Sequence, residues 1–286
     1  MKTKFFNNVP VRKRFGQNFL TDKIIIDEII EKSNFTKDDF VLEIGPGHGV
    51  LTEKLVERVG FLNAVEIDRD LVKELTDKFK EKNNIKINSG DILEYDLNSI
   101  DFSNYDIKNR KAIGNIPYYI TTPIIMKIIN EESLKIHGVS KTQRFFSELV
   151  IMIQKEVGER IVAQEGSKEF GALSVICQYA CEVEKLVDVG KRAFYPSPKV
   201  DSVVIKLKMK EKDEYDIKEP KIFWRIIKGV FTSRRKTLKN SLKIASFSDE
   251  LIEKISNDFD LSIRGETMNL NQFSYLSNLI YEKNIL

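Results

Sequence analysis

A glycine-rich run, Val41-Leu42-Glu43-Ile44-Gly45-Pro46-Gly47-His48-Gly49, follows an apolar strand segment and precedes a helix-period segment, and it constrains this chain more than any other feature. Strand, tight turn and helix in that order mark the carboxyl edge of an open α/β sheet, where such folds bind ligands. Glycines there let the backbone approach a ligand, and the helix N-terminus favours a negative group. Other apolar runs fit the same architecture. Residues 40–44, 61–67, 85–87, 111–113 and 149–153 read as strands, and amphipathic segments such as 71–79 lie between the earlier ones. Thr122 and Pro123 read as the N-cap and first residue of another helix. Two further strands, 183–189 and 203–207, are not separated by a helix. They flank Phe194-Tyr195-Pro196-Ser197-Pro198, which predicts an antiparallel edge hairpin. From 208 to 219 the chain is highly charged, and after Pro220 only helical periodicity remains. The expectation is a doubly wound, Rossmann-like α/β sheet over residues 1–210 with an antiparallel edge hairpin, followed by a small all-α domain over 211–286.

The chain has 286 residues, enough to bury two cores. Its apolar stretches fall short of the roughly 18–20 residues that a membrane-spanning helix needs, so no membrane partner is expected. Two cysteines cannot build a disulfide framework, which makes a reducing cytoplasm the expected location. The balance of 46 Lys and Arg against 43 Asp and Glu, net +3, does not announce a nucleic-acid binder. Its distribution is uneven, however. Residues 221–245 carry eight basic side chains, Arg234, Arg235, Lys236 and Lys239 among them, and no acid. An N-terminal arm adds Lys2, Lys4, Arg12, Lys13 and Arg14 before its first acid, Asp22. Helical spacing of Trp224, Ile227, Val230 and Phe231 turns much of the first set outward, as a surface that displaces counterions from phosphates without reading bases.

The glycine loop narrows the cofactor. A nicotinamide fingerprint needs its third glycine at position 50, which is Val50. Glu43 before the loop, with Gly45 and Gly47 in a G-x-G-x-G spacing, looks instead like the S-adenosylmethionine loop of class I methyltransferases. Glu66 ends the second strand, where a carboxylate accepts from both ribose hydroxyls, a placement that fits either cofactor. Asp91, in Ser89-Gly90-Asp91-Ile92 after the third strand, is placed to accept from the adenine amino group.

Gly114-Asn115-Ile116-Pro117-Tyr118, after the fourth strand, points to the chemistry. An adenine exocyclic amine is a poor nucleophile because its lone pair is delocalised into the ring. Accepting hydrogen bonds from both amine protons turns the nitrogen toward tetrahedral geometry. Asn115 supplies a side-chain oxygen, the Ile116 carbonyl supplies a second acceptor, and Pro117 stiffens the turn. Tyr118 offers a ring for the base to stack on, worth about 1–3 kcal/mol.

Taken with Gln17-Asn18-Phe19-Leu20, Val65-Glu66-Ile67-Asp68, Phe194-Tyr195-Pro196-Ser197-Pro198-Lys199-Val200-Asp201-Ser202 and Phe231-Thr232-Ser233-Arg234-Arg235-Lys236-Thr237-Leu238, these motifs resemble the ribosomal RNA adenine dimethyltransferases over nearly the whole chain. The resemblance is nearest to the branch that dimethylates two adjacent adenosines in the terminal hairpin loop of small-subunit RNA. A sister branch, the macrolide-resistance enzymes of large-subunit RNA, shares the catalytic motifs. The likeness implies cofactor contacts at Asn18, Leu20, Gly45, Glu66, Asp91 and Asn115. It also implies that Phe194 stacks on the face of the base opposite Tyr118, as an extruded base requires. The implied partner is small-subunit ribosomal RNA or the assembling 30S subunit, bound by a monomer, with Arg12, Lys13, Arg14, Lys199, Arg234, Arg235, Lys236 and Lys239 as the expected RNA contacts. A catalytically vestigial assembly factor is the alternative from another class. One departure is Tyr119, where many relatives carry Asn; a changed loop contact is expected. No metal site is expected: Cys177 and Cys181 read as core residues on one helix, and His48 and His137 belong to no triad.

Overall fold

The computed structural model describes residues 5–6, 9–10, 12, 15–100, 107–136, 146–210 and 214–285. Strands β1 (Phe5–Phe6) and β2 (Val9–Pro10) pair with each other, and β3 (Phe19–Leu20) precedes the main sheet. That sheet contains β4 (Asp39–Ile44), β5 (Phe61–Glu66), β6 (Ile85–Ser89), β7 (Asn109–Asn115), β8 (Glu148–Gln154), β9 (Cys181–Val189) and, after the two-residue β10 (Phe194–Tyr195), β11 (Ser202–Met209). Its order is β6-β5-β4-β7-β8-β11-β9. The strands β6, β5, β4, β7 and β8 run parallel, and β11 joins β8 antiparallel with Ser202 opposite Gln154.

All six residues of β4 are buried, as expected for a parallel strand covered on both faces. Helices α1 (Lys23–Lys32) and α2 (Val50–Arg58) supply one cover: Ile26, Ile29 and Ile30 of α1 and Leu51, Leu55 and Val56 of α2 share a core with Val41, Leu62, Ile113 and Val150. Burying each such aliphatic side chain is worth about 1.5–3 kcal/mol. Asp22 fixes the start of α1 by accepting the Ile24 and Ile25 N–H groups. Asp68 caps α3 (Arg69–Phe79) in the same way through the Asp70 N–H. Helix α4 (Thr121–Ile136) continues directly from a 3-10 turn at Tyr118–Ile120, so Thr122 lies inside it rather than capping it.

Sheet order decides where the site falls. From β4 the connection runs to β5 on one side and later to β7 on the other, a topological switch. The carboxyl ends of β4, β5 and β7 are therefore neighbours, and Ile44 is in register with both Val65 and Gly114. The glycine loop, Glu66 and Asn115 converge there for that reason.

Two compact units divide the described residues: those of 5–135, 146–158 and 183–209 in the first, residue 136 and those of 159–182 and 210–285 in the second. This departs from the expected split at 210 in one respect. Residues of 159–182, which run from within α5 (Lys155–Val162) through α6 (Ala172–Ala180), build the core of the second unit: Phe170, Val175 and Tyr179 cluster with Phe223, Ile226 and Ile227 of α7 (Pro220–Thr232). Leu238 and Leu242 of α8 (Leu238–Ile244), Ile252 of α9 (Asp249–Ile255) and Phe273 and Leu276 of α10 (Leu270–Ile285) complete it. The continuous sequence pattern hid this excursion, because a buried helix looks alike in either core. Cys177 is buried in α6, but Cys181 opens β9 instead of extending that helix. Among the described residues no helix is long and apolar enough to cross a membrane, and none of the acidic, His and Cys groupings suits a metal.

Candidate active site

A cavity at the carboxyl edge of the sheet is lined by Phe15 to Leu20, Glu43, the loop Gly45 to His48, Glu66 and Asn115 to Tyr118. Gly45, Gly47 and Gly49 have φ of 65°, 60° and 77°. At Gly47 a Cβ would also stand 3.2 Å from the Phe19 ring, and at Gly49 one would stand 2.7 Å from Leu75 Cδ2. The glycines thus bring the loop down onto β3 and α3 together. Its conformation is held by Glu66: one carboxylate oxygen accepts the Gly47 N–H at 3.1 Å and the other the Asp68 N–H at 2.9 Å. Burial raises the Glu66 pKa from its ordinary value, offset in part by those backbone donors.

Glu43 is also buried, and one of its oxygens has no hydrogen-bond partner. Burial pushes its pKa from 4.5 up to about 8, with repulsion from Glu66 adding to the shift. An unsatisfied acceptor, a ribose-ready carboxylate and a glycine loop of this shape suit a nucleoside carrying a cationic amino-acid end. They would hold S-adenosylmethionine through Gly45, Gly47, Glu66 and Asn18, with Leu20 against its apolar surface.

Asn115 ends β7, and its Nδ2 donates to the Asn18 carbonyl at 3.3 Å; Asn18 in turn donates from its own side chain to the Gly16 carbonyl at 3.1 Å. The Asn115 amide is thereby oriented with Oδ1 as its acceptor. Pro117 at φ −57° introduces the turn that carries Tyr118. The Tyr118 hydroxyl lies 2.7 Å from Ser202 Oγ, and burial raises its pKa. Tyr119 is exposed, and its ring sits against the Gly16 position.

Three of the expected site residues have other partners in this structure. Phe194 is buried within the core containing Leu20 and Val189 and does not line the cavity; its strand β10 pairs with β3, Phe194 opposite Leu20, so the ring is drawn inward. Asp91 also does not line the cavity, and its Oδ1 accepts the Leu93 N–H at 2.9 Å. Arg12 forms a clasp rather than presenting a loose charge: it pairs with Asp68 at 3.1 Å and with Asp70, while Gln17 donates to the other Asp68 oxygen at 3.0 Å. Lys13, Arg14 and His137 lie outside the described residues. Lys199 is exposed.

In the second unit Arg235, Lys236 and Lys239 are exposed, whereas Arg234 is spent internally. It donates to Glu266 at 2.7 Å and to the Lys168 carbonyl at 2.8 Å. Arg225 is likewise bound to the Ala245 carbonyl and stacked over Phe247, and Lys243 pairs with Asp249.

Sequence reasoning missed the buried carboxylate of Asp68 and the His48–Glu74 contact, in which His48 Nδ1 lies 2.9 Å from Glu74. Asp68 carried a signal, since it stands at an N-cap position beside Glu66. Glu74 carried none.

Fold and cavity together define a class I, S-adenosylmethionine-dependent methyltransferase. A family model described as ribosomal RNA adenine dimethylase matches residues 8–278. "Ribosomal RNA small subunit methyltransferase A" of Clostridium acetobutylicum is 41% identical over 276 residues, covering 96% of this chain and 95% of the relative. The protein of that name from Caldanaerobacter subterraneus is 38% identical, covering 96% and 98%. Among solved structures, a dimethyladenosine transferase from Plasmodium falciparum is 25% identical with a TM-score of 0.75, covering 93% and 98%. The 23S rRNA methyltransferase ErmE, 22% identical with a TM-score of 0.64, shares the fold over 94% of this chain and 100% of its own. The chain belongs to the ribosomal RNA adenine dimethylase family, and it is a methyltransferase.

Proposed function

We propose that this enzyme dimethylates the exocyclic amines of two adjacent adenosines in the 3′-terminal hairpin loop of small-subunit ribosomal RNA, in the cytoplasm, during subunit assembly. The observation that carries the reading is the oriented Asn115 amide beside Tyr118 and Glu66 in one cavity. The names borne by relatives near 40% identity support the small subunit as the source of the RNA.

S-adenosylmethionine supplies an electrophilic methyl group at its sulfonium. The chain supplies position. Glu66 would hold the ribose hydroxyls, and the glycine loop would let the backbone approach the ligand. Asn115 Oδ1 and the Ile116 carbonyl accept the two amine protons, which frees the nitrogen lone pair from the ring, and Tyr118 stacks on the extruded base. Asp91 keeps its turn contact at Leu93 through Oδ1 and has Oδ2 left to accept from the adenine amine of the cofactor. After the first transfer one N–H remains, so one acceptor suffices for the second. The product amine loses its proton readily, and alignment within about 3–3.5 Å carries most of the acceleration. Phe194 contributes a second stacking face only if its ring leaves the core.

Exposed Arg235, Lys236, Lys239 and Lys199 are the proposed phosphate contacts, with the protein acting as a monomer. The test is incubation of purified protein with methyl-labelled cofactor and under-methylated small subunits, followed by digestion to nucleosides. Label in N6,N6-dimethyladenosine is expected; label absent from adenosine would overturn the proposal.

A further inference from the structure

We infer that Ser202 is a positioning residue for the methyl-accepting base, acting through the phenol of Tyr118; this rests on the reading of Tyr118 as the stacking ring. Ser202 is a buried hydroxyl at the start of a strand otherwise rich in Val, Ile and Leu, and it does not line the cavity. Its hydroxyl lies 2.7 Å from the Tyr118 hydroxyl.

The hydroxyl is mounted rigidly. Ser202 is in register with Gln154 of β8. The adjacent Asp201 carbonyl accepts the Lys155 N–H at 3.0 Å, and the Asp201 carboxylate accepts the Lys191 N–H at 2.9 Å. Tyr118, by contrast, stands on a single 3-10 turn. A half-buried phenol needs a partner for its polar end, and a ring used for stacking needs a fixed plane. Misplacement of about 1 Å at a reacting centre costs up to roughly 100-fold in rate. The tether therefore sets the plane on which the base lies without touching the base.

The experiment measures single-turnover methyl transfer to under-methylated small subunits, with cofactor affinity by calorimetry, for wild type, Ser202→Ala, Ser202→Thr, Tyr118→Phe, the Ser202→Ala/Tyr118→Phe pair and Tyr118→Ala. Ser202→Ala and Tyr118→Phe should each slow transfer about 5–10-fold, the worth of one neutral hydrogen bond, with cofactor affinity unchanged. The pair should be no slower than either alone, and Ser202→Thr should recover most of the rate. A pair whose losses multiply, or Ser202→Ala at the wild-type rate, would overturn the assignment. Should Ser202→Ala not fold, Tyr118→Phe removes the same bond without touching the strand, and a wild-type rate there would overturn it equally. Wild-type turnover by Tyr118→Ala would sink the stacking role itself, a separate failure.

Discussion

The carboxyl edge of the sheet and the basic helices of the second unit are both rich in polar groups, and they use charge in opposite ways. At the sheet edge, Glu43 and Glu66 are buried, their ionisation is opposed by desolvation, and Glu66, Asn115 and Asn18 are each fixed by a backbone partner. In the second unit Arg235, Lys236 and Lys239 are exposed, while the partly buried Arg234 is engaged by Glu266 and the Lys168 carbonyl; Arg225 and Lys243 are exposed as well, each with a partner at the surface. The first region is preorganised and its chemistry depends on direction. In the second, the exposed charges without a folding role are the proposed phosphate contacts.

The sharpest way to break this contrast is Asn115→Ala. Loss of a preorganised acceptor at the reacting centre should cut turnover about 100- to 1,000-fold with the protein still folded; near-normal methyl incorporation would remove direction from the account. Next comes the buried carboxylate Glu43. Its folded pKa of about 8 stands above the ordinary 4.5, so the folded protein retains a proton that the unfolded chain releases. Stability from this group therefore falls as pH rises from about 4.5 to 8 and levels off above that. Glu43→Gln should flatten the pH profile and gain on wild type by a few kcal/mol across that window, read by urea unfolding at pH 5, 7 and 9. Parallel profiles would contradict the burial argument.

Smaller effects sharpen the comparison. Glu66→Gln should weaken cofactor binding about 10- to 100-fold by calorimetry, the loss of a charged acceptor. Arg234→Ala should lower the stability of the second unit by about 1–3 kcal/mol in thermal unfolding, because it strands Glu266 and the Lys168 carbonyl. Arg235→Ala should leave the melting temperature unchanged, reduce RNA affinity several-fold and lower the salt slope by about one. Equal behaviour of the two arginines would erase the distinction between structural and binding charge.

The same contrast explains what was legible in the sequence. The strands β4 to β8 and the loop between β4 and α2 could be read because strand periodicity and left-handed glycines are local properties. Glu66 and Asn115 followed, since each ends a parallel strand next to the switch point. Arg234 and Arg235 are indistinguishable in sequence; only the fold brings Glu266 to one of them. The Arg12 ion pairs were hidden for the same reason, Asp68 and Asp70 being distant in the chain. Phe194 shows the limit at a motif: its position in the turn was visible, and the pairing with Leu20 that draws it into the core was not. Residues 159–182 joined the second core because helical periodicity says which face is apolar and nothing about which core receives it.

The most direct test of the central claim is parallel incubation of the enzyme and methyl-labelled cofactor with under-methylated small and large ribosomal subunits, with the label located by mass spectrometry of RNA fragments. Two methyl groups on each of two neighbouring adenosines in the small-subunit 3′-terminal hairpin are expected. Label confined to large-subunit RNA, or none on adenosine in either subunit, would contradict the proposed function.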